Sequence, residues 1–145
     1  MAPSEVRVAR FVELAPRTFH DIVRLRIDVF VVEQGCPYPE LDGRDVLDST
    51  RHVWVQAGDA VVAYLRLYPD AAGATWIGRV VTAAEHRGRG LGDLLMRHAI
   101  SLAEPPVRIS AQSRLEQWYA GLGFARCGQD FLEDGIPHTP MLLAG

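Results

Sequence analysis

The stretch AAEHRGRGLGDLLM, Ala83 to Met96, sets glycine at positions 88, 90 and 92 and then enters an amphipathic run. A glycine inside a helix costs about 1 kcal/mol relative to alanine, so this series is a poor helix start unless something must approach the backbone closely. A phosphate loop of the GxxxxGK[ST] kind needs a lysine and then a hydroxyl residue, whereas Gly92 is followed by Asp93 and Leu94. A dinucleotide fingerprint needs GxGxxG in an early βαβ unit with an acid about 20 residues on; here the glycines read GxGxG, late in the chain. A third reading takes Arg87 to Gly92 as R-x-x-G-x-G between a strand and a helix, where successive N–H groups and the positive helix end converge on an anion. Its alternative is a tight turn whose glycines serve φ alone.

Working outward, EVRVARFVEL alternates as a first strand, with Val6, Val8 and Phe11 on shared faces. Pro16 suits a helix start, and Phe19, Ile22, Val23, Ile27, Phe30 and Val31 carry helical spacing to Glu33 or Gln34, where Gly35 and Pro37 stop it. Cys36 to Thr50 is an irregular loop rich in proline, glycine and aspartate. RHVWVQA and AVVAYLRLYP form a hairpin about Gly58 and Asp59, and ATWIGRVVT follows as a third strand. The helix after the glycines carries Leu91, Leu94, Leu95, Ala99 and Leu102 on one side and ends before Pro105 and Pro106. VRISA is a short strand and SRLEQWYAGLG a short helix; FARCGQDFL and HTPMLLA are final strands around the turn EDGIP. This order predicts a mixed α/β fold with an antiparallel front half and one parallel crossover.

With 145 residues, 48% hydrophobic and 23% charged, the chain reads as one globular domain spanning 1–145. A net charge of -3 argues against a nucleic-acid partner. No apolar run suits a membrane span, and the start MAPSEVRVARFVEL shows no leader, so a cytoplasmic location without membrane association is expected. Cys36 and Cys127 lack metal or disulfide spacing. Asp42, Asp45 and Asp48 lack the order of a calcium loop, so no metal is expected.

The segment GRVVTAAEHRGRGLGDLLM resembles the acetyl-CoA-binding segment of the GNAT superfamily of N-acetyltransferases, and AQSRLEQWYAGLGF resembles its C-terminal signature. LRIDVFVVEQGCPYPELDGRD and FLEDGIPHTPM are close to the ElaA-like branch, so the resemblance covers nearly the whole chain. It implies a GNAT fold, with a mostly antiparallel sheet that splays between two parallel strands, and acetyl-CoA as co-substrate. It further implies that backbone groups of Val80, Val81 and Thr82 pair with the pantetheine arm. Amides of Arg87, Gly88, Arg89, Gly90, Leu91 and Gly92 hold the diphosphate. Gln112 stands where many relatives place a cofactor-contacting asparagine, and Tyr119 matches a tyrosine near the departing sulfur.

Transfer to an amine needs a base for the amine proton, a donor to the carbonyl oxygen and help for the leaving thiolate. Glu33, at the end of an apolar helix run, and His138, near Glu133 and Asp134, are the candidate bases, with a water chain as the alternative. Glu33, Glu40, Asp42, Asp45 and Asp48 face only Arg44 within their stretch, a surplus expected to draw in cationic amines. Tyr38, Asp42 and Asp45 are the acceptor-binding candidates. The expected acceptor is a small-molecule amine or a peptide or protein amine, and the expected assembly a monomer or homodimer. The rival function is a non-catalytic acyl-CoA-binding or sensing module on the same fold.

Overall fold

The computed structural model describes residues 5–145; Met1 to Ser4, the beginning of the stretch searched for a leader, lie outside them. Eight strands form one sheet: β1 (Glu5–Ala9), β2 (Arg51–Ala57), β3 (Ala60–Pro69), β4 (Thr75–Thr82), β5 (Val107–Gln112), β6 (Ala125–Arg126), β7 (Phe131–Glu133) and β8 (Ile136–Leu143). Their order is β1-β2-β3-β4-β5-β8-β6, with β7 also on β8. Only β4 and β5 run parallel, as expected for strands joined by a helical crossover. That crossover is α2 (Leu91–Leu102); α1 (Pro16–Arg26) precedes β2, and α3 (Glu116–Gly121) follows β5.

Strand alternation sorts the core into two layers. Val53, Val55, Leu65, Leu67, Ile77, Ile109 and Met141 pack with Leu91, Leu95, Met96 and Ala99 of α2 and Tyr119 of α3. Trp54, Tyr64 and Val81 face Ile22, Leu25 and Val29 from the α1 side. On α2, Leu94 and Leu102 turn out to be exposed while Met96 is fully buried, so the helix docks through a face rotated from the leucine spacing.

The α1 segment departs from one continuous α-helix. Beyond Arg26 the chain widens into a π-helix, Ile27–Glu33, with Gln34 N–H donating to Val29 O and Cys36 N–H to Val31 O, both at 3.1 Å. Such i→i+5 turns occur mostly at functional sites. Ile22, Leu25, Arg26 and Val29 are the buried positions. They hold the i, i+3, i+4, i+7 stripe of an amphipathic helix, and one member of that stripe is an arginine. Phe11, expected on a strand face, sits in a 3-10 turn, Phe11–Glu13, with its ring edge-on to Phe19. FARCGQDFL breaks into β6 and β7, and between them Gly128 passes so close to β8 that a Cβ there would lie 3.0 Å from Pro140 Cγ.

One irregularity aims the end of β4. Arg66 pairs with Gly78 and Tyr64 with Val81, so two steps on β3 oppose three on β4. The extra residue is Arg79, whose φ is 55°. A bulge of this kind reverses which face each later residue takes: Val80 packs toward the α2 core and Val81 toward the α1 core.

Candidate functional site

β4 and β5 are paired only at Thr75 with Val107 and Trp76 with Arg108. Beyond that the strands diverge, leaving the β5-facing edge of Val80, Val81 and Thr82 without a ladder partner, the splay that the family resemblance implied. At the open end of this V the glycine loop begins. Gly88 and Gly90 have φ of 78° and 76°, a region that side chains with a Cβ rarely adopt. Gly90 is the N-cap of α2, and no side chain caps the helix. Among the described residues the amides of Gly88, Arg89, Gly90, Leu91 and Gly92 have no acceptor. Five free N–H groups at a helix start are of the kind that can receive an anion.

Two positions in that loop differ from the expectation. The Arg87 amide donates to Ala84 O at 3.4 Å, so Arg87 contributes its side chain and not its N–H. Gly92 lacks a left-handed φ; a Cβ there would lie 3.3 Å from Trp118 Cζ2, so this glycine lets α3 approach α2.

The end of the π-helix spans the mouth of the V. Arg87 donates Nη1 and Nη2 to the two Glu33 oxygens at 2.8 and 3.0 Å and Nε to Thr82 O at 3.2 Å. Gln34 Oε1 accepts from Gln112 Nε2, on β5, at 3.3 Å, and Gln112 Oε1 accepts from Arg114 at 3.0 Å. Glu33 is therefore not a free base, since the Arg87 hydrogen bonds hold its carboxyl below the ordinary range and both oxygens are engaged.

His138 pairs in register with Gln112 across β5 and β8 and with Phe131 across β7 and β8. Its Nδ1 lies 2.8 Å from Ile136 O; a carbonyl only accepts, so Nδ1 carries a proton, and in the neutral ring the lone pair is on Nε2. Nε2 is 3.5 Å from Glu133, and the ring stacks on Phe131. Residues directly opposite share a sheet face, so Gln112, His138 and Phe131 lie together on the side of Gln34. Tyr119 occupies the other face, between Trp118 and Phe124. Burial pushes its phenol up to about 12, and among the described residues its hydroxyl has no hydrogen-bond partner.

The acidic loop is a correction. Each of its five carboxylates meets an arginine from elsewhere in the chain: Glu33 meets Arg87, Glu40 meets Arg26 and Arg79, Asp42 meets Arg66, Asp45 meets Arg26 and Arg66, and Asp48 meets Arg10. Glu40 and Asp45 are buried. Burial opposes ionisation of Asp45, yet the hydrogen bond from Arg26 and the Arg66 charge outweigh it and hold the carboxyl below its usual range. Asp42 is likewise lowered, against its partial burial, by Arg66 and the Arg44 amide. The Tyr38 hydroxyl donates to Glu40, and burial together with that bond raises its pKa. Tyr38, Asp42 and Asp45 are thus engaged by partners within the protein, Asp45 buried and Asp42 at the surface, and no uncompensated surplus is left to recruit an amine. Arg26, Arg66 and Arg79 were missed in the sequence; the only signal was an arginine on the buried stripe of α1 and two more inside strands.

A separate apolar cleft of about 380 Å³ lies on the outer face of α1, bordered by Phe19, Val23, Ile27 and Leu41; it shares no residue with the V. No helix among the described residues is long and apolar enough to cross a membrane.

The candidate site is thus a parallel pair that opens into a V, beside a glycine loop that starts a helix. Residues 26–144 match the acetyltransferase (GNAT) domain, and the chain belongs to that family, in its ElaA-like branch. UPF0039 protein Rv2851c of Mycobacterium tuberculosis is 46% identical over 138 residues, covering 92% of this chain and 88% of the relative. The crystal structure of an acyl-CoA N-acyltransferase from Pseudomonas aeruginosa matches with a TM-score of 0.93 and 38% identity over 98% of this chain and 100% of that one. ElaA of Escherichia coli matches with a TM-score of 0.90 and 32% identity over 97% and 99%.

Proposed function

We propose that this chain is an N-acetyltransferase that moves acetyl from acetyl-CoA to an amine by direct attack on the thioester. The observation that carries the reading is the unpaired β4 edge opening beside five free loop amides. The family and the acyl-CoA N-acyltransferase likeness support acyl-CoA as donor. Amides of Gly88 to Gly92 hold the diphosphate, with the positive end of α2 behind them. The edge groups of Val80, Val81 and Thr82 bond the pantetheine arm as a further strand does, and an N–H of that edge stabilises the charge gathering on the carbonyl oxygen.

The two faces of the V then divide the proton work. On the Gln34 side, His138 Nε2 takes the proton of the attacking amine, directly or through water; Glu33 serves instead to anchor Arg87 across the mouth. On the other side, the Tyr119 hydroxyl, which keeps its proton at working pH, donates to the sulfur as it leaves. No covalent enzyme intermediate is needed, so Cys36 has no part; its thiol rests against Asp134 O at 3.3 Å. The acceptor is a small-molecule or peptide amine that approaches over Gln34, Gln112 and Phe131, and the working location is the cytoplasm.

Incubation of the purified chain with acetyl-CoA and a mixed amine panel tests this, with free-thiol release followed by colour and products by mass. Thiol release matched by acetylated amine is expected, and His138→Ala lowers it. Tight acetyl-CoA binding with no amine-dependent release replaces the enzyme by a binding or sensing module.

A further inference from the structure

Glu40 lies in the loop after the π-helix, outside the V, with 5% of its surface exposed. Two guanidinium groups hold it in the same way. Arg79 donates Nε to Glu40 Oε2 at 2.9 Å and Nη2 to the Glu40 carbonyl at 3.2 Å. Arg26 donates Nε to the same Oε2 and Nη2 to the same carbonyl at 3.2 Å. Tyr38 donates to Oε1 and lies under the Arg79 guanidinium. Asp42, 3.7 Å from Arg79, is bound by Arg66 of β3.

Arg79 is the bulged residue of β4, and its φ of 55° is unfavourable for any residue but glycine, and occasionally asparagine or aspartate. Such a conformation persists only where its surroundings over-determine it. Here the surroundings are Glu40, which draws the Arg79 side chain to the α1 side. The cost of losing the bulge is positional: without the extra residue, Val80 to Thr82 each turn to the opposite face. The edge that borders the V then no longer presents the same N–H and C=O groups to it.

We infer that Glu40 and Arg79 form a positioning clamp, in which a buried carboxylate outside the V keeps the β4 bulge in register so that Val80, Val81 and Thr82 meet the thioester correctly. This inference rests on the acetyl-transfer reading for its consequence in turnover. The clamp also gives the acidic loop a role: its carboxylates set the backbone geometry of the donor site from behind.

Arg79→Gly and Arg79→Ala separate the clamp from the conformation it holds, because glycine adopts the bulge φ freely and alanine does not. Misplacement of reacting groups by about 1 Å costs up to about a hundredfold in rate; on that scale Arg79→Ala lowers kcat about tenfold and Arg79→Gly about twofold. Free CoA affinity, carried by the glycine loop, changes less than about threefold in both. Glu40→Ala lowers kcat as Arg79→Ala does, and adding Arg79→Gly to it restores most of the loss. Amide chemical shifts of Val80 to Thr82 follow the same order and need no turnover. Equal kcat and equal shifts in Arg79→Gly and Arg79→Ala overturn the clamp, as does a folded Glu40→Ala variant that Arg79→Gly fails to rescue. If Glu40→Ala does not fold, the Arg79 pair decides alone. If the wild-type chain acetylates no amine, the transfer reading fails by itself, and the shifts still decide the clamp.

Discussion

Two loops rich in turn-forming residues, one at the open end of the V and one behind it, use opposite parts of the chain. Gly88 to Gly92 leave their backbone amides unpaired, and Gly88 and Gly90 supply the left-handed φ of that turn. Cys36 to Thr50 turns two of its carboxylates inward, with Glu40 and Asp45 buried against Arg26, Arg66 and Arg79. A site made of amides depends on the conformation of its own few residues. A cluster of charges depends on what lies opposite, and here that was an arginine each time. The acidic loop is accordingly a strut, while the glycine loop is, on the proposed function, a receptor.

The largest effect expected of this contrast falls on the strut. Asp45→Ala takes one carboxylate partner from each of two buried guanidinium groups, leaving Arg26 with Glu40 and Arg66 with Asp42, and removal of one partner from a buried pair costs up to about 3–5 kcal/mol; chemical denaturation measures it. Asp48→Asn, whose carboxylate is exposed, leaves the unfolding midpoint essentially where it was. If both changes cost the same, the loop is not divided as the structure has it. The sign with pH follows from the lowered carboxyls of Asp42 and Asp45. Their contribution is complete above the ordinary aspartate value of 3.8 and is lost as pH falls below it. Stability of the wild type thus declines on acidification through that range, and Asp45→Ala flattens the decline.

The receptor comes next. Gly90→Val forces a β-branched residue to a φ of 76° at the helix N-cap and weakens CoA binding about a hundredfold, whereas Arg89→Ala, which keeps the amide, costs less than about threefold. Calorimetric titration with CoA distinguishes them, and intact affinity in Gly90→Val places the diphosphate elsewhere. A smaller loss is expected at Tyr119. Tyr119→Phe keeps the ring in the core and removes the donor to the sulfur, lowering kcat about tenfold with little change in KM for acetyl-CoA. Steady-state kinetics showing unchanged kcat returns Tyr119 to packing alone. Least affected is the amine-side KM, which stays within about twofold between low and moderate salt because no uncompensated acidic patch faces the acceptor. A steep salt dependence there revives the acidic loop as a recruiter.

Much of the fold was legible from local pattern. Strand alternation from Arg51 to Thr82, the hairpin at Gly58, the helix start at Pro16 and the glycine loop all depend on short-range sterics and on which positions are apolar. The π-helix was not legible, because Ile27 to Glu33 carries the same apolar spacing as an α-helix and differs only in which carbonyl each amide reaches. Nor was the β4 bulge, since nothing in TWIGRVVT announces an arginine at positive φ. On the site, the free amides and Tyr119 came from motif and resemblance, and His138 from its turn; Glu33 was named as a base without sight of Arg87, 54 residues away in sequence.

By itself the sequence determined most of the order of elements, the glycine loop at the start of α2 and the family, because these rest on φ preferences, apolar periodicity and contiguous motifs. Only the tertiary structure decided which charges are spent: Arg26 on α1, Arg66 on β3 and Arg79 on β4 reach Glu40, Asp42 and Asp45 through space. A carboxylate's protonation, burial and chemical role are set by the charges within a few ångströms of it, and chain order does not state which those are.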